Sequence, residues 1–120
     1  MGPAVDRTPG NSVRTVGPPV SLVMTDIVES TRLWAQHEHE MAIDLEAHDQ
    51  AVQEIVTGLG GSVFKHTGDG AIAAFADPAA AVLAAAEIQR TMSTLAWRTP
   101  DGLRVRVAVN TGAVVERPTY

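Results

Sequence analysis

Two aspartates stand where short apolar runs give way to turns. Asp26 follows the run Val20 to Met24 and precedes a helix start, and Asp69 lies inside Gly68-Asp69-Gly70. The chain has no cysteine, and its histidines form no zinc pattern, so these carboxylates are an oxygen-only donor pair. Such a pair suits Mg²⁺ or Mn²⁺, and can seat two metal ions on a nucleoside triphosphate. Each residue also has an ordinary reading. Asp before a helix is a common cap, and Asp between glycines is a common turn residue. Taken singly, each is better explained that way. The backbone from Ile27 to Thr31 opens the helix, where free N–H groups and the helix dipole favour an anion. A triphosphate beside Asp26 fits there, although every helix has such a start.

The elements that must position these residues follow from the pattern. Val20 to Met24 reads as a buried strand. Ser30 to about Thr57 has helical spacing, with Leu33, Met41, Leu45, Val52, Ile55, Val56 and Leu59 on one face. Ser30 or Thr31 is expected to cap it, and Gly58, Gly60 and Gly61 to stop it. Ser62 to His66 and Ala71 to Phe75 form a hairpin around the Gly-Asp-Gly turn. Asp77 caps a second helix with Pro78 in its first turn, running to about Leu95. Leu103 to Val109 alternates as a half-exposed strand. Thr111-Gly112 is expected to turn the chain into a further strand at Ala113. The order βαββαβ predicts an α+β fold: a ferredoxin-like, mostly antiparallel sheet with both helices on one face. If the first strand lies beside the hairpin, Asp26 and Asp69 meet at one edge of the sheet.

Bulk properties narrow the classes. The chain has 120 residues, which suits one small domain. Hydrophobic residues make up 45 % but aromatics only 4 %, so the core must be built from Val, Leu, Ile and Ala. A net charge of -5 argues against a non-specific nucleic-acid binder, which needs a basic face. No apolar stretch reads as a signal or a membrane span. These features predict a cytoplasmic protein. Residues 1–18, rich in proline and glycine, read as a flexible leader, and 19–120 as the folded domain.

Three runs carry a resemblance. Thr25-Asp26-Ile27-Val28-Glu29-Ser30-Thr31-Arg32-Leu33 resembles the first metal-binding motif of class III adenylate and guanylate cyclases. Gly60-Gly61-Ser62-Val63-Phe64-Lys65-His66-Thr67-Gly68-Asp69-Gly70 resembles their second. Arg104-Val105-Arg106-Val107-Ala108-Val109-Asn110-Thr111-Gly112 resembles the strand and turn that follow. All three occur in the family's order, and together they cover about residues 20–117. The resemblance implies conversion of ATP or GTP to a 3′,5′-cyclic nucleotide and pyrophosphate. It implies that Asp26, Asp69 and the carbonyl of Ile27 hold two Mg²⁺ or Mn²⁺ ions. The backbone of Val28, Glu29, Ser30 and Thr31 would cradle the phosphates. Lys65 stands where adenylate cyclases often place a base-reading lysine. A lysine donates to adenine N1, whereas guanine N1 is itself a donor.

Two departures matter. Many family members have glycine where this chain has Glu29, and a carboxylate there would repel phosphate unless it turns outward. The family's asparagine and transition-state arginine lie further along than Tyr120. The resemblance therefore implies a partial cyclase domain, incomplete at its C-terminus, with no catalytic group beyond the metal ligands. Family sites form across a dimer, so the chain alone is expected to be inactive. As a homodimer it is expected to be nearly or wholly inactive, and in a heterodimer with another cyclase chain to complete one site. The competing reading is a non-catalytic module that binds nucleotide or a partner cyclase. His39 and His48 are expected to be solvated and His37 half-buried. Trp34 and Trp97 read as packing residues, and Arg104 and Arg106 as a solvated strand face.

Overall fold

The computed structural model describes residues 15–116. Residues 1–14 of the expected leader lie outside the described residues, and the first strand begins at Thr15. The elements are β1 (Thr15–Ile27), α1 (Ser30–Gln36), α2 (Glu38–Gly58), β2 (Ser62–Thr67), β3 (Gly70–Phe75), α3 (Pro78–Met92) and β4 (Val105–Glu116). The strands form one sheet in the order β2-β3-β1-β4, and every neighbouring pair is antiparallel. This is the expected α+β sheet, with β1 lying directly beside the hairpin strand β3.

Alternation along the strands divides the sheet into two faces. Val23, Ile27, Ala71, Ala73, Phe75 and Val105 are buried, together with Met41, Val52 and Val56 of α2 and Ile88 and Met92 of α3. Ala81 and Ala84 are fully buried on α3, so that helix approaches its neighbours closely. Of the intervening strand residues, Met24, Asp26, Lys65 and Arg106 are exposed, and Leu22, Ile72 and Ala74 are half-buried. Among the described residues, no helix is long and apolar enough to cross a membrane.

Three local expectations need correction. The helix expected from Ser30 to Thr57 is two helices, broken at His37, whose backbone leaves the helical region at φ -138° and ψ 48°. Buried Leu33 and Met41 keep their spacing across the break, so periodicity did not reveal it. Neither Ser30 nor Thr31 caps α1; its N-cap is Glu29, which makes no side-chain capping bond. Asp77 does cap α3, accepting from the Ala79 N–H at 3.0 Å. No turn occurs at Thr111-Gly112, because β1 continues outward and supplies partners for β4 as far as Glu116. The register shift between Val16 and Pro19 accommodates the prolines, and β1 pairs with β3 only from Ser21 onward. Proline is tolerated there because, among the described residues, that stretch of β1 has a neighbour on one side only.

The loop between α3 and β4 is tied down by a buried charge. Asp44 on α2 is 1 % exposed. Its carboxylate accepts the N–H groups of Arg98 at 2.8 Å and Thr99 at 2.7 Å, and the Thr99 hydroxyl. These donors offset the cost of removing the carboxylate from water.

Candidate functional site

The site is built by strand register. Asp26, the penultimate residue of β1, pairs with Gly70, the first residue of β3. Asp69 is therefore one residue from the position facing Asp26. The Ile27 N–H donates to the Asp69 carbonyl at 2.8 Å, which closes the hairpin turn onto the end of β1. Gly70 makes this approach possible: a Cβ there would lie 2.0 Å from the Thr25 carbonyl oxygen. A second tie comes from α1, where the Trp34 indole N–H donates to the Gly68 carbonyl at 2.7 Å. Trp34 thus anchors the turn that carries Asp69, a role beyond packing that lone tryptophan gave no signal of. The Thr67 hydroxyl donates to the Asp69 carboxylate and orients it.

The expected residues are distributed as follows. Asp26 and Asp69 are exposed and share a cleft of about 840 Å³, also lined by Met24, Ile72, Arg106 and Ala108. Ile27 buries its side chain at 1 % exposure and brings only its backbone to this edge. The Val28 N–H is engaged by the Arg104 carbonyl at 2.9 Å. Glu29, Ser30 and Thr31 stand at the start of α1, where the first N–H groups of a helix have no partner within it. The Glu29 carboxylate meets Arg32 at 2.9 Å. Lys65 lies in the cross-strand row Lys65, Ile72, Met24, Ala108, one row along the exposed face from Asp26. Two strand spacings, roughly 10 Å, separate its strand from β1.

Arg106 lies on the solvated strand face as expected, but its partner was not foreseen, and His48 was misread. Arg106 is a cross-strand neighbour of Asp26, and its guanidinium lies 2.9 Å from that carboxylate. Both side chains are more than half exposed, at 71 % and 52 %, so the pair adds little stability. Alternation put Arg106 on an exposed face, but only register shows which residue it meets. His48, expected to be solvated, is fully buried and bonds to Thr25.

The donor set fits a hard divalent ion. Asp26 and Asp69 offer oxygen only and are open to water, and Asp26 already draws a positive group in Arg106. Among the described residues no three His, Cys, Asp or Glu side chains cluster for metal binding. Further ligands would be the Ile27 carbonyl, water and a substrate phosphate. Mg²⁺ and Mn²⁺ sites are commonly completed in this way.

With this geometry, the comparisons with known proteins are informative. No protein-family model matches the chain. An uncharacterized protein of Mycobacterium tuberculosis is 35 % identical over 97 residues, which cover 79 % of this chain and 32 % of that protein. Receptor-type adenylate cyclase GRESAG 4.3 of Trypanosoma brucei brucei is 36 % identical over 81 residues, 68 % of this chain and 7 % of that protein. The chain therefore spans well under two thirds of the curated relatives it matches. A solved adenylate cyclase of Trypanosoma brucei, in its monomeric state, superposes with a TM-score of 0.74 at 28 % identity, over 80 % of this chain and 57 % of that one. The catalytic core of a rhodopsin-guanylyl cyclase, in complex with ATPαS, superposes with a TM-score of 0.75 over 85 % of this chain and 62 % of that one. At 20 % identity this second likeness speaks for the fold alone. The chain belongs to the class III adenylate and guanylate cyclases, of whose catalytic domain it holds a part.

Proposed function

We propose that this chain supplies the metal-binding half of a nucleotidyl cyclase site, acting on ATP in preference to GTP. The observation that carries the reading is the pairing of Asp26 with Gly70, which brings Asp26 and Asp69 together at one sheet edge. Asp26, Asp69 and the Ile27 carbonyl would hold the ions. Two bound Mg²⁺ or Mn²⁺ ions would neutralise the triphosphate and ease loss of the ribose 3′ proton. The N–H groups of Glu29, Ser30 and Thr31 donate to phosphate oxygens. Val28 contributes by fixing the loop, since its own N–H is bonded to Arg104. Lys65 donates to adenine N1 and sets the preference for ATP. In the reaction the 3′ oxygen attacks the α-phosphorus, the bond to the β-phosphate oxygen breaks, and pyrophosphate leaves.

The family's asparagine and arginine match no residue in this sequence. A second cyclase chain that carries both residues supplies them across the exposed sheet face in a heterodimer in the cytoplasm, whereas a homodimer covers the same face without them. Two assays test the reading. The first is cyclic AMP production from Mn²⁺-ATP, with Asp26→Ala as the blank. The second repeats it with an added cyclase that lacks its own metal aspartates but keeps its arginine. Activity in the mixture that disappears with Asp26→Ala supports the reading. No activity at saturating partner overturns it.

A further inference from the structure

A buried chain of hydrogen bonds lies beneath the two aspartates, outside the chemistry described so far. His48 is 0 % exposed. Its Nε2 lies 2.9 Å from the Thr25 hydroxyl, and its Nδ1 lies 2.8 Å from the Asp49 carboxylate. Thr25 Oγ1 in turn accepts the Ala71 N–H at 2.9 Å. The Asp49 carboxylate also meets His66 Nδ1 of β2 at 3.3 Å. A carboxylate can only accept, so the His48 proton belongs on Nδ1. Nε2 is then the acceptor and the Thr25 hydroxyl the donor. Every donor therefore points the same way: Ala71 to Thr25, Thr25 to His48, His48 to Asp49. Bonds aligned head to tail polarise one another, more so in a dry interior. Among the described residues, no buried side-chain polar atom lacks a partner.

Position gives this relay its meaning. Thr25 is the residue before Asp26, and Ala71 is the second residue after Asp69. The relay clamps β1 to β3 within two residues of each carboxylate. Its far end rests on α2 and β2, elements that carry neither aspartate. The geometry points to His48 and Thr25 as positioning residues, which set the spacing of Asp26 and Asp69 and through it the affinity for a divalent cation. This rests on the reading of Asp26 and Asp69 as a metal pair. Outer groups that orient metal ligands commonly govern affinity in this way.

The test measures Mn²⁺ affinity of the chain by the electron paramagnetic resonance of free Mn²⁺, with Asp26→Asn as the blank. Thr25→Val keeps the side-chain shape and removes the hydroxyl. It should weaken Mn²⁺ binding about ten-fold and speed hydrogen exchange at the Ala71 amide. Thr25→Ser restores the hydroxyl and should return affinity to the wild-type range. Asp49→Ala acts at the partly exposed outer end and should give a smaller loss in the same direction. Val52→Ala serves as a control, because it cuts a buried contact on α2 outside the relay. It should lower the melting temperature and leave Mn²⁺ affinity unchanged. Wild-type affinity in folded Thr25→Val and Asp49→Ala would overturn the relay while leaving the metal pair standing. An equal loss of affinity in Val52→Ala would also overturn it, since affinity would then follow stability alone. Wild-type protein that binds no more Mn²⁺ than Asp26→Asn would overturn the metal pair, and the relay with it.

Discussion

Glu29 is held at φ 57° and ψ 35°, in the left-handed region that costs a residue with a Cβ about 1 kcal/mol. It is also the position where many cyclases carry glycine, and the backbone now gives a reason for that preference. Glu29→Gly should raise stability by about 1 kcal/mol, read as a rise in urea midpoint at unchanged slope. The lost contact with Arg32 is exposed and costs little. Lys65 is exposed on the same sheet face as Asp26, so its substitution leaves the core alone. Lys65→Glu should change stability by less than about 0.5 kcal/mol. It should also move nucleotide preference, measured by competition in the complemented assay, from ATP toward GTP. At this scale the aspartates were legible because their flanking runs are distinctive. Arg106 and His48 were not, because ion pairing and burial depend on neighbours from other strands and helices.

Among the elements, the hairpin turn has the tightest fit. Gly70 meets the Thr25 carbonyl so closely that any side chain must push β1 and β3 apart. Gly70→Ala should therefore destabilise the fold by about 3 kcal/mol, the upper range for overpacking, as followed by thermal denaturation. Mn²⁺ affinity should fall in the fraction that remains folded. The pattern of strands and helices was readable because apolar spacing follows the faces that the core buries. The break at His37 was not readable, since Leu33 and Met41 reach the same core from two different helices. The outer halves of β1 and β4 were also missed. Pro18, Pro19 and Gly112 are ordinary signals of an ending, and only the pairing of β1 with β4 overrides them.

Seen whole, the molecule is a two-layer structure with helices on one side of a sheet. The other side carries Met24, which is 36 % exposed, amid polar groups of the candidate site. A sheet face of this kind is normally covered by another layer. In the proposed reading a second chain provides it. Sedimentation velocity should then show a concentration-dependent dimer. Met24→Lys should shift it toward monomer while changing stability by less than about 0.5 kcal/mol. The layer arrangement was legible in the order of elements, but whether the outer face meets a partner is decided by surfaces that periodicity does not describe.

The unequal support along β1 has a mechanical consequence. From Ser21 to Asp26 the strand is gripped on both sides, whereas toward Thr15 it is held, among the described residues, by β4 alone. It behaves as a cantilever clamped at the end that carries Asp26. A two-stranded ribbon has little stability of its own, so fraying that enters it should stop where β3 joins. Changes along the outer ribbon are thereby insulated from the aspartates, and shortening it should leave the spacing of Asp26 and Asp69 undisturbed.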